Sequence, residues 1–91
     1  MSSPQPDVQV TLSLPVLRKG QYGEQPIYRL QVMLNYIAGV DKLDVDGIFG
    51  PKTEAAVRDF QQDENLSVDG IVGRQTWTTL LRHWLLFSRP S

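Results

Sequence analysis

Apolar positions along this chain change their spacing. Val8, Val10, Leu12 and Leu14 alternate with polar residues, the period of an extended strand. After the stretch "RKGQYGEQ", Ile27, Leu30, Leu34 and Ile37 fall at helical spacing. Thr53, Ala56, Val57 and Phe60 make a second such face, with Arg58, Asp59, Gln62 and Asp63 on its water side. Trp77, Leu80, Leu81, Trp84 and Leu85 make a third, stronger stripe. Pro26 and Pro51 suit a first helical turn, where a missing N–H costs no intrahelical bond. Gly39 is a suitable stop for the first helix. The spacing predicts helices over 26–38 and from Pro51 to about Asn65. A third runs from Arg74 and fades into "FSRPS". Residues 1–16 are expected as a flexible or extended arm, 17–86 as the folded domain and 87–91 as a tail. The fold class expected is all-α: a compact three-helix bundle, with DGxxG loops before helices two and three.

Those two loops are near copies. "VDGIFG" begins at Val45 and "VDGIVG" at Val68, so the offset is 23 residues (69 − 46 for the aspartates). Over Leu43–Thr53 against Leu66–Thr76, seven of eleven positions are identical, and the match fades inside the helices. A repeat confined to the loop and the helix start points to a task of the loop. Calcium is a poor fit. With Gly47 at the invariant sixth position of an EF-hand loop, Lys42 stands first and Thr53 twelfth; with Gly70 there, Asn65 and Thr76 do. Neither copy has the bidentate Glu that such a loop needs. No Lys-Ser or Lys-Thr closes a G-x-x-x-x-G phosphate frame either.

A structural reading fits better. The Asp carboxylate can accept backbone N–H groups just downstream in an Asx-type turn. The first Gly can take positive φ. Leu43, Val45, Leu66 and Val68 are expected to anchor the loops, with Ile48 and Ile71 plugging back into the core. Thr53 and Thr76 can bond backbone in the first helical turn. Gln31 and Gln61 occupy matching places after Leu30 and Phe60, and are expected to tie helices one and two to the loops.

Composition narrows the classes. A chain of 91 residues makes one domain with a modest core. Net charge is −1 and the nine basic residues are scattered, which disfavours nucleic acid as a partner. There is no cysteine, so disulfide and thiolate chemistry are excluded. No apolar run approaches a membrane span of ~20 residues, and "MSSPQPDVQV" carries no secretory signal. That leaves a cytoplasmic location open, or a domain of a longer exported chain. His83 is the one histidine; it is expected to be packed or half-exposed rather than a metal ligand. Asp44 with Asp46, and Asp63 with Glu64, are carboxylate neighbours read as solvated rather than as a glycosidase pair. No cofactor and no catalytic residue are expected. Trp77 and Trp84 share one helix face and are expected in the core, while Tyr22, Tyr28 and Tyr36 are candidates for surface contacts.

The chain resembles the peptidoglycan-binding domain of the three-helix type, a module often attached to cell-wall hydrolases. The resemblance runs from about Leu17 to Leu81. It rests on Leu30-Gln31, on both Val-Asp-Gly-Ile-x-Gly loops, and on two longer patterns. One is Gly50-Pro51-x-Thr53-x-x-Ala56-Val57-x-x-Phe60-Gln61; the other is Gly73-x-x-Thr76-Trp77-x-x-Leu80. It implies a non-catalytic, monomeric module that binds peptidoglycan or muropeptides and targets a fused or associated hydrolase to the cell envelope. The implied ligand-binding residues are Asn35, Tyr36, Asp46, Gly47, Phe49, Lys52, Asp69, Gly70 and Arg74, with backbone donors of the Asp-Gly loops contributing. The alternative is a protein-interaction module with this fold and no wall ligand.

Overall fold

The computed structural model describes residues 14–38 and 43–88, with side chains as far as Leu85. Three helices follow in order: α1 Gln25–Ala38, α2 Pro51–Asp63 and α3 Arg74–Ser88. Most of the expected arm, the stop at Gly39 and residues 89–91 lie outside the described residues. Phe87 and Ser88, read above as tail, belong to α3.

Each helix boundary has a local cause. α2 starts after Gly50, which is extended (φ −106, ψ −165), with Pro51 as its first residue and no side-chain cap. Glu54 in the first turn is favoured by the positive end of the helix dipole. α2 stops where Asn65 enters the left-handed region at φ 59. Leu66 N–H then bonds Gln61 C=O at 2.8 Å and Asn65 N–H bonds Gln62 C=O at 3.2 Å. These two bonds make the Schellman closure, which satisfies carbonyls the helix end would leave bare.

α1 packs against both other helices. The core holds Ile27, Leu30, Met33 and Leu34 from α1, Ala56, Val57 and Phe60 from α2, and Trp77 and Leu80 from α3. Leu17, Leu43, Phe49 and Val72 come from the connecting segments.

The loop residues that enter the core differ from the expected ones. Leu43 is buried and Leu66 partly so, but Val45, Val68 and Ile48 are exposed, Ile48 at 55%. Phe49 and Val72 are buried instead. Neighbours in extended backbone point to opposite faces. The Asp46 carboxylate bonds Ile48 N–H at 3.0 Å and fixes the register, so the next side chain turns inward.

The stretch before α1 is an ordered part of the fold. Leu17 and Val72 exchange both backbone bonds, at 3.1 and 2.8 Å. Gly20 N–H bonds Phe49 C=O, Phe49 N–H bonds Gln21 C=O, and Gly23 N–H bonds Gly47 C=O, each at 2.9 Å. Residues 17–23 thus staple both repeated loops side by side. Upstream, the Trp77 indole N–H donates to Pro15 C=O at 2.7 Å and Leu14 packs on the core. The end of the expected arm, at least, is docked on the domain.

Candidate functional site

The two loops are held by one device used twice. Gln31, wholly buried on α1, accepts Gly47 N–H at Oε1 (3.0 Å). Its Nε2 donates to Asp46 Oδ1 (3.1 Å), Ile48 C=O (3.0 Å) and Thr53 Oγ1 (3.2 Å). Gln61, on α2, repeats this on the second loop. It accepts Gly70 N–H at 3.0 Å and Asp69 N–H at 3.1 Å, and donates to Asp69 Oδ1 (2.9 Å), Ile71 C=O (3.0 Å) and Thr76 Oγ1 (3.1 Å). Each helix therefore holds the loop that starts the next one. A buried carboxamide stays in place when its donors and acceptors are engaged; here every atom is.

The aspartates close the loops. Asp46 Oδ1 accepts Ile48 N–H at 3.0 Å, and Asp69 Oδ1 accepts Ile71 N–H at 3.0 Å. The Ile48 N–H bond, then the Gln31 carboxamide, holds the Asp46 carboxyl below its ordinary value of 3.8. Asp69 is lowered likewise, first by the Ile71 N–H and then by Gln61 and Arg58, against the opposing effect of desolvation. Gly47 and Gly70 sit at φ 75 and φ 73, the left-handed region.

The residues singled out as ligand contacts divide into three groups. Asn35 clamps the chain entering the first loop, donating to Leu43 C=O (2.9 Å) and accepting Leu43 N–H (2.8 Å). With Asp46, Gly47, Asp69 and Gly70, it serves the internal network. The Gly47 and Gly70 N–H groups expected to reach a ligand are taken by Gln31 and Gln61. Phe49 is 1% exposed and is a core residue, which corrects its reading as a contact. Tyr36, Lys52 and Arg74 reach solvent. Lys52 lines a hollow with Leu43, Asp44 and Ile48, and Arg74 lines another with Glu64, Thr78 and Arg82. Tyr36 lies edge-on to Trp84 at 5.1 Å between ring centres.

His83 is half-buried, bonds Glu64 at 2.9 Å and meets Phe60 edge-on, so it is engaged in packing. Among the described residues no three His, Asp or Glu side chains come together to hold a metal ion. No described helix is long and apolar enough to cross a membrane.

One surface was not legible as a unit from the sequence. Tyr28, Arg29 and Val32 of α1 face Trp77, Leu81 and Trp84 of α3 across an open groove. The signal available was the scarcity of charge in α1, where Arg29 stands alone.

Three-helix architecture and paired Gln-held loops define a small all-α module. The family described as "Putative peptidoglycan binding domain" matches residues 23–80, and the chain belongs to it. The chain is 44% identical over 75 residues to the autolytic lysozyme of Clostridium acetobutylicum, a match covering 82% of this chain and 22% of that protein. It is 38% identical over 65 residues to the zinc D-Ala-D-Ala carboxypeptidase of Streptomyces albus G, covering 70% and 25%. In three dimensions it resembles the SleB N-terminal domain with a TM-score of 0.69 at 38% identity, covering 78% of this chain and 94% of that one. The chain spans less than a third of the length of these curated relatives.

Proposed function

We propose that this chain is a non-catalytic module that binds bacterial cell-wall peptidoglycan and holds a hydrolase at the wall. The carrying observation is family membership across residues 23–80, a span that contains both Gln-held loops, the first two helices and the opening turns of the third. Relatives named as wall-acting enzymes contain this domain as a minor part of their length, which leaves their catalysis to other parts. By the same reasoning the module works in the cell envelope, fused to or partnered with such an enzyme.

The hollows and grooves of the described surface are open, so recognition is shallow. A site of this kind binds single fragments with Kd of roughly 10 μM to 1 mM. Firm retention on the wall then comes from many sites or linked copies. Co-sedimentation with purified insoluble sacculi tests the proposal. Saturable pelleting is expected; a protein left wholly in the supernatant at high sacculus concentration would refute it.

A further inference from the structure

A helix lying on a core normally turns charged residues to water. α2 does so with Lys52, Glu54, Arg58, Asp59 and Asp63. α1 has a single charge, Arg29, in its 14 residues. Its outer face instead carries Tyr28, Val32 and Tyr36, four residues apart and 37%, 42% and 46% exposed. Trp77, Leu81 and Trp84 form the opposite wall of the groove beside Tyr28 and Val32, and the Trp84 ring meets Tyr36. Arg29 is the one charged side chain among the described residues lining it. A contiguous apolar face of this kind marks an interaction site.

The chemistry of the groove selects among occupants. A second copy would meet it across a twofold axis, groove against groove. That arrangement covers Arg29 with a surface whose described lining holds no acidic residue, and a charge buried without a partner is unfavourable. A wall glycopeptide fits instead. Its sugars present C–H faces and acetyl methyls, which pack on aromatic rings. Its stem peptides end in carboxylates, which guanidinium groups bind in pairs of hydrogen bonds.

We propose that the α1/α3 groove is the glycopeptide seat of this module, with Tyr28, Tyr36 and Trp84 bearing the sugar and Arg29 a stem-peptide carboxylate. This rests on the wall-binding reading above and adds the place and the parts of the ligand. The repeated loops then hold the helices in register and leave recognition to α1 and α3.

The test uses the full chain with Val32→Glu and Arg29→Ala, both at exposed positions, and with Lys52→Ala and Arg74→Ala as comparisons. Retention on purified sacculi is measured alongside thermal melts. Val32→Glu and Arg29→Ala are each expected to weaken retention at least tenfold with melting unchanged, and the two comparison variants less than twofold. Wild-type retention matched by Val32→Glu and Arg29→Ala overturns the groove as the seat and leaves wall binding intact. No retention of the wild type removes the wall reading itself. Wild-type self-association that Val32→Glu abolishes while retention holds gives the groove to a second copy. Deletion of residues 1–13 that lowers the melting temperature while retention by Val32→Glu stays at the wild-type level gives it to that segment. Either result overturns the proposal.

Discussion

Gln61 reaches from α2 to the second loop, where its Oε1 accepts the Gly70 N–H at 3.0 Å. The same carboxamide satisfies Asp69, Ile71 and Thr76. Removing it strands several polar groups at once. An unsatisfied buried donor costs about 1–3 kcal/mol, so Gln61→Leu should destabilise by about 2–4 kcal/mol. In a domain of this size that is a fall of very roughly 8–30 °C in melting temperature. A melt within two degrees of wild type would show that the network is ornamental. Gln31→Leu should behave alike through Gly47, and the comparison tests whether the two loops are energetically equivalent.

Gly47 and Gly70 adopt φ near +75, where a side chain is strained by about 1–2 kcal/mol. A Cβ on Gly47 would also meet the Tyr28 ring, and one on Gly70 would meet Glu54 Cγ at 2.9 Å. Alanine at either site should therefore cost about 1–3 kcal/mol in urea unfolding. Gly47→Ala must in addition displace Tyr28, so 15N amide shifts should spread along α1. Shifts limited to the loop would argue that the ring does not rest on Gly47 in solution.

The two aspartates give stability a defined acid dependence. Both carboxyls are held below their ordinary value in the folded state. A depressed folded pKa contributes stability that is present above the unfolded pKa and lost as pH falls through the folded one. The stability these two carboxyls contribute should be level above about pH 5 and decline below about pH 4. Asp46→Asn with Asp69→Asn removes these two titrations, and the double variant should show a shallower decline. Identical acid slopes for wild type and variant would assign the dependence to other carboxyls.

Trp77 joins the core to the chain that precedes Leu17. Its ring is buried and its indole N–H reaches Pro15 C=O at 2.7 Å. Trp77→Ala should cost about 3–5 kcal/mol through the cavity it leaves. Trp77→Phe keeps most of the packing and loses the bond, worth about 1 kcal/mol. Equal losses in the two variants would mean that the hydrogen bond, not the ring volume, carries the effect.

The helices, their order and the loop-bearing glutamines were legible in the residues themselves. Pro51, the spacing of Ala56, Val57 and Phe60, and the matched places of Gln31 and Gln61 all specify local structure, which depends on near neighbours. The loop interiors were legible only in part. Asp46 and Asp69 make the turns their chemistry implies, but the inward side chains are Phe49 and Val72 rather than Ile48 and Ile71. Extended backbone alternates faces, so a single hydrogen bond to Ile48 N–H sets which neighbour is buried, and either register satisfies the same letters.

By itself, then, the sequence determined three helices, two copied loops and the resemblance those motifs carry. Tertiary structure alone decided how residues 17–23 staple the two loops, through backbone bonds that side-chain identity does not encode. It decided that the loop N–H groups are spent on Gln31 and Gln61 rather than left for a ligand. It also decided that Tyr28, Val32 and Tyr36 stand in the open beside Trp84. An apolar stripe reads the same in the chain whether it is covered or bare. Only the packing of α1 against its neighbours determines which one it is.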